Sequence, residues 1–316
     1  MKHRQILLLC VVSFMLPVFG CAAFAADPLV VGFSQIGAES GWRTAETESV
    51  ISAAKDLGID LKFSDGQQKQ ENQIAAIRAF IAQEVDGILL APVVETGWEP
   101  VLTEAKDANI PVILLDRGIT VDDESLYVCK ITSDFIFEGE QAAKWVVSEF
   151  GGKANVVQLQ GTPGASAAIE RQKGFEDELA KTPDVKILES QTGDFTMELG
   201  KQVMEAFLKK YGKEINVVYA HNDDMGLGAV QAIKEAGMKP GEDIKIITVD
   251  ATKAAFEAMV AGEMNAVVEC NPLLGPLAFE TLKKTIAGES LNKWIVQEDQ
   301  VFTKDQAPSV IGSRKY

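Results

Sequence analysis

The run Pro111-Val-Ile-Leu-Leu-Asp116-Arg117 shows how this chain is built: a short, wholly apolar stretch that stops on charged residues. Four aliphatic residues without alternation describe a strand buried on both faces, and such strands belong to parallel sheets covered by helices. The pattern recurs on either side. GILLAP (87–92) leads into Thr96-Gly-Trp98, and LVVGFSQ (29–35) into Glu39-Ser40-Gly41-Trp42-Arg43. Downstream, KANVVQLQ (153–160) leads into Gly161-Thr162, INVVYA (215–220) into His221-Asn222-Asp223-Asp224, and IKIITV (244–249) into Asp250. In open α/β sheets ligands sit outside the carboxyl ends of the strands. Six such ends carrying Arg, Asp, Asn, Glu and Trp predict one polar site suited to a small neutral polyol.

Helical spacing fills the intervals. Val50, Ile51, Ala54 and Leu57 make an apolar stripe over residues 42–57, and Ile74, Ile77 and Ile81 line the inner face of 68–83. Strands at 87–91, 111–116 and 126–131 and a helix at 99–108 continue the alternation. A second set runs from a helix at 135–149 to a helix at 274–286, after which 294–302 reads as extended. Two sets of about 100 residues predict two doubly wound lobes rather than an eightfold βα barrel. Residues 122–132 carry no helix, where a barrel would need another full unit.

Residues 1–25 read as an export signal: Lys2 and Arg4, an apolar run from Ile6 to Phe19, and Ala23-Phe24-Ala25 before the cleavage point. At about 14 residues the apolar run is too short to cross a bilayer. A lipid anchor at Cys21 is the lesser alternative, because Phe19 fits a lipobox poorly. Export to the periplasm follows from either reading. Removing Lys2 and Arg4 lowers the 30 basic residues to 28 against 46 acids, a net charge of −18. That excess repels nucleic acid and anionic lipid. Beyond the signal remain Cys129, Cys270 and one histidine, His221, too little for a zinc site, and nothing calls for a metal or cofactor.

The stretches GFSQIGAESGWRTAE (32–46), DGQQKQENQ (65–73), APVVETGWEPVL (91–102), LLDRGI (114–119) and YAHNDDMGLGAVQAIKEAG (219–237) resemble the type I periplasmic sugar-binding proteins of ATP-driven importers, most closely their galactofuranose-binding members. The resemblance spans the mature chain. It implies two parallel-sheet α/β lobes joined by three crossovers, near Ser133, near Cys270-Asn271 and near 294–297. One lobe would hold 26–132 plus 271–296, the other 133–270 plus 297–316. It implies a monosaccharide ligand, galactofuranose first, with ribose, arabinose and galactose as alternatives, a membrane permease as partner, and a monomer. It also sets Cys129 and Cys270 beside adjacent crossover strands, where a disulfide is expected.

Sugars present vicinal hydroxyls that planar, charged side chains can grip two at a time, which strengthens each bond. Asp116 and Arg117 at a strand end have a bland reading as a salt-bridged terminus; the resemblance favours ligands. Ser40 could be an N-cap and Trp42 a core residue, yet the resemblance assigns the whole turn Glu39, Ser40, Gly41, Trp42 and Arg43 to the sugar. Trp98 reads as structural. Arg171 draws no notice from its helix and enters through the resemblance, while Asn222 and Asp250 combine it with their strand-end positions. Asp223 and Asp224 are adjacent, so on a helix their side chains diverge instead of facing one substrate. They read as partners of a helix dipole rather than as an acid–base pair. A glycosidase is therefore disfavoured, as is a DNA regulator, which would need a basic helix-turn-helix where the export run lies. Partnership with a membrane sensor remains an alternative to transport.

Overall fold

The continuous apolar runs become the central strands of two sheets. In this computed structural model, which describes residues 28–316, the first sheet contains β1 (Val30–Gln35), β2 (Asp60–Asp65), β3 (Gly87–Leu90), β4 (Val112–Leu115), β5 (Lys130–Ser133) and β11 (Trp294–Gln297), in the order β2-β1-β3-β4-β5-β11. The second contains β6 (Ala154–Gln160), β7 (Val185–Thr192), β8 (Val217–Ala220), β9 (Lys245–Asp250), β10 (Ala266–Glu269) and β12 (Val301–Thr303), in the order β7-β6-β8-β9-β10-β12. The two orders are the same permutation. All pairings are parallel except β10–β12. The barrel alternative is thereby excluded.

Every residue of β3, β4, β8 and β10 is buried, as parallel strands sandwiched by helices must be. In the first lobe, helices α1 (Gly41–Leu57) and α9 (Gly275–Ile286) cover one face through Val50, Ala53 and Phe279. Helices α2 (Gln70–Ala82) and α3 (Glu99–Asp107) cover the other through Ile77, Phe80, Trp98 and Leu102. Trp98 is wholly buried, with its indole N–H on the Val94 carbonyl, so it is a core residue. The second lobe builds one larger core between α4 (Phe135–Glu149), α5 (Ser166–Leu179), α6 (Met197–Tyr211), α7 (Asp223–Glu235) and α8 (Lys253–Val260).

The chain leaves the first sheet after β5, returns after β10, and crosses again between β11 and β12. Two local expectations fail here. The strand expected over 126–131 is instead a 3₁₀ turn, Glu124–Leu126, followed by a strand that pairs with β4 only from Lys130. Leu126 anchors that turn in the first lobe's core, and packing overrides the β-rich composition of Tyr127-Val-Cys. The extended tail is two strands on different sheets, not one.

The expected disulfide is also absent. Cys129 and Cys270 are free, buried thiols, the first inside the core of the first lobe and the second where β10 hands the chain back. Burial pushes the Cys129 thiol up to about 11, which removes the thiolate needed for oxidation. Thiol titration of denatured, unreduced mature protein should find both cysteines reactive; finding neither would restore the disulfide. The export signal and Cys21 lie outside the described residues.

Candidate functional site

Where the carboxyl ends of the two sheets face each other, Glu39, Ser40, Trp42, Arg43, Asp116, Arg117, Arg171, Asn222 and Asp250 line one cavity, together with Ala167, Phe195 and Cys270. Nine of the ten residues singled out from sequence therefore meet. Gly41 does not line the cavity; its N–H points to the other lobe. The ends of β3 and β6, Thr96–Trp98 and Gly161-Thr162, contribute nothing to the lining either. The cavity measures about 20 Å³ and is walled by both lobes, room for a water or two. A solute larger than that enters only when the lobes part, and the lining side chains must turn aside to admit it. A wider open depression of about 910 Å³ lies at the far edge of the first lobe, near Val85, Pro111 and Tyr127, but none of its polar side chains is buried.

Each side chain is held by its own local structure. Ser40 does cap α1, accepting the Arg43 N–H at 3.1 Å, and still reaches the cavity. That cap starts the helix so that Arg43 turns inward. Its guanidinium then meets three carboxylates: Glu39 at 3.1 Å, Glu46 at 2.5 Å and Asp116 at 2.6 Å. Burial opposes the charge on Arg43, yet Asp116, Glu46 and Glu39 together raise its pKa well above the ordinary value. Glu46 was missed from sequence, although Glu39, Arg43 and Glu46 follow the spacing of one helix face. Burial lifts the Glu46 carboxyl to about 7 against the pull of Arg43.

Asp116 sits at φ 61° and Asp250 at φ 125°. Asp tolerates the first conformation; the second is strained, and strain of this kind collects where function requires a particular side-chain direction. Burial, then the neighbouring Asp223, raises the Asp250 pKa well above the ordinary carboxylate range. Arg117 donates to the Val93 carbonyl at 2.9 Å and lies 5.1 Å over the Phe195 ring. Burial, then the nearby Arg43, lowers it to about 10, so it stays charged at neutral pH.

From the second lobe, Arg171 on α5 pairs with the buried Glu138 at 2.6 Å and donates to the His221 carbonyl at 2.7 Å. Asn222 caps α7 through the Met225 N–H and also donates to the Phe195 carbonyl. The ring of Trp42, from the first lobe, joins the second lobe's core and donates to the Cys270 carbonyl at 2.6 Å. Phe195 follows Asp194 in a turn where both residues have positive φ, and its ring fills the space that any side chain at Gly161 would need. No sequence signal marks it. His221 is buried in the second lobe beside Gln158, away from the lining.

Three carboxyls thus face three guanidiniums on the cavity wall, a balance suited to a neutral guest. Three lining residues also keep a buried polar atom with no hydrogen-bond partner among the described residues: Glu39 Oε2, Arg117 Nε (3.7 Å from Asp116) and Asp250 Oδ2. Such atoms cost about 1–3 kcal/mol each when left unpaired.

The chain matches the periplasmic binding protein domain over residues 31–290. It is 56% identical over 311 residues to the galactofuranose-binding protein of Escherichia coli (strain K12), covering 97% of this chain and 98% of that one. The periplasmic binding component of the arabinose ABC transporter from Shewanella sp. ANA-3, solved with α- and β-L-arabinofuranose, superposes with a TM-score of 0.89 at 52% identity, covering 90% of this chain and 95% of that one. A Mycobacterium smegmatis structure in complex with β-D-fucofuranose gives 0.89 and 52%, covering 91% and 95%. Fold and relatives agree, and the chain belongs to the periplasmic binding protein family.

Proposed function

We propose that this protein is an exported, monomeric receptor that closes its two lobes on a monosaccharide in its furanose form, galactofuranose first, and delivers it to an inner-membrane ABC permease. The first lobe would comprise 26–132 and 271–296, the second 133–270 and 297–316. The observation that carries the reading is the set of buried atoms without a hydrogen-bond partner on Glu39, Arg117 and Asp250, residues from both lobes that line one cavity. Sugar hydroxyls, each both donor and acceptor, satisfy a carboxylate and a guanidinium alike. A guest bonded to both lobes stabilises the closed form differentially, which is what drives closure.

The relatives narrow the guest. Fucofuranose of the D series is galactofuranose without O6, and L-arabinofuranose is the same ring without C6. The shared ring hydroxyls are therefore the natural partners of Asp116, Arg117, Arg171, Asn222 and Asp250, with Trp42 and Phe195 flanking the C–H faces. Catalysis is not part of the reading, since the adjacent Asp223 and Asp224 diverge: Asp223 binds Thr248 and Thr252, and Asp224 binds Gly41.

Calorimetric titration of ligand-stripped mature protein with D-galactose, L-arabinose, D-fucose and D-ribose tests this. Saturation should come only when the small furanose fraction of the first three, not their total, matches the protein. Stoichiometric binding of ribose, with silence from the others, would overturn it.

A further inference from the structure

Within Asn222-Asp223-Asp224 the side chains of the first two bond within their own lobe, and that of Asp224, in the first turn of α7, also reaches the other. Its Oδ2 accepts the N–H of Gly41 at 3.1 Å, across the cleft and 183 residues away. Gly41 opens α1, a helix with no acid in its own first turn. A carboxylate placed there meets unpaired amides and the positive end of the helix dipole. Asp224 thus meets two helix dipoles, that of α7, whose first turn it occupies, and that of α1 on the opposite lobe.

Two further bonds repeat the arrangement. The N–H of Gly118 donates to Ser166 Oγ at 2.9 Å, and that of Glu95 to the Gly164 carbonyl at 2.9 Å. Each donor is a backbone amide of the first lobe and each acceptor belongs to the second. Asp224, Ser166 and Gly164 are all absent from the cavity lining. These bonds exist only while the lobes are closed, and they touch no guest.

We infer that Asp224 is a latch: it grips the first turn of α1, favours the closed form, and raises affinity for every sugar by one common factor without choosing among them. The inference rests on the two-lobe receptor reading above. The latch is also sensitive to pH. Asp224 faces Glu39 across the cleft and Asp223 and Asp250 in its own lobe. Burial pushes its carboxyl up to about 6, the Gly41 amide pulls it back, and Glu39 adds to the rise. Parting the lobes returns the group to water and to the ordinary carboxylate range. The closed-state pKa is the raised one, so closure takes up a proton. Its contribution is fullest below the open-state pKa and fades as pH rises through about 6.

Affinities of wild type, Asp224→Ala and Asp224→Asn for L-arabinose, D-fucose and D-galactose at pH 5.5 and 7.5 test the latch. At pH 5.5, where the contribution is fullest, Asp224→Ala should weaken all three by the same factor, roughly tenfold, through loss of the bond from Gly41. Asp224→Asn keeps an oxygen that accepts from Gly41 and should recover most of that loss. Between pH 7.5 and 5.5 wild-type affinity should gain about fourfold more than that of Asp224→Asn. A loss confined to one sugar, an Ala variant within about twofold of wild type, or equal acid strengthening in the Asn variant overturns the proposal. The furanose reading is judged on other data, the wild-type preference among sugars, so the two can fail separately.

Discussion

Arg43→Ala should lose about 3–5 kcal/mol of folding stability, because it strips Glu39 and Glu46 of their buried ion-pair partner and leaves Asp116 only Arg117, at 3.7 Å. For a chain of this size that is a fall in melting temperature of roughly 6–20 °C. The loss should shrink as pH drops from 7.5 to 5. Burial already lifts the Glu46 carboxyl to about 7 while Arg43 pulls it down, so without Arg43 its folded-state pKa stands further above the unfolded one, and the stability is present at low pH and lost as pH rises through that folded-state value. Sugar binding should vanish together with the stability, since two of the three carboxylates line the cavity. Arg78 is the matched comparison. It makes three hydrogen bonds to Glu104, but both side chains are about half exposed. Arg78→Ala should therefore leave the melting temperature nearly unchanged. Thermal melts of the two variants side by side decide the matter, and equal shifts would sink the argument.

Gly139→Ala should be nearly as damaging, for a steric reason. An added Cβ at Gly139 on α4 would stand 2.2 Å from the Arg171 carbonyl oxygen on α5, and one at Gly174 on α5 would stand 2.1 Å from the Ile136 carbonyl oxygen. The two helices touch through backbone, which cannot rotate aside, so even a methyl group forces them apart. Such overpacking costs about 3 kcal/mol. It also shifts Arg171 relative to Glu138 and the His221 carbonyl. Affinity and melting temperature should fall together, whereas Gly312→Ala, with nothing within 4 Å of its added Cβ, should change neither. A Gly139→Ala variant that melts and binds like wild type would show that α4 and α5 have slack the structure does not display.

Much of this architecture was legible because propensity, capping and burial agree along the chain. The helix Phe135–Glu149 and the strand Ala266–Glu269 match their expected limits, the former because the Asp134 carboxylate accepts the Phe137 N–H and fixes the start. The errors fall where long-range pairing decides. Tyr127-Val-Cys has strand composition, but the chain enters β5 late from an anchored 3₁₀ turn. At the site, charged residues directly after apolar runs announced themselves. Arg171, a ligand candidate through resemblance alone, sits mid-helix and looks like any solvated Arg until α4 brings Glu138 against it. Phe195, Ala167 and Cys270 are apolar or small, and only the three-dimensional closure of the lobes brings them to the cavity. Gly41 shows the reverse error: a residue inside the right turn whose one polar group points across the cleft.

The interleaving of the sheets bears on how the chain acquires its shape. The first lobe's core contains Leu274, Ala278, Phe279 and Leu282, and its edge strand is β11. Both arrive about 140 residues or more after β5, and such long-range closure is slow. A chain emerging N terminus first cannot seal that lobe until it is nearly complete, and the second lobe waits as long for β12. Premature burial is thereby postponed by topology alone, and a nascent chain that stays open is one that can still be threaded.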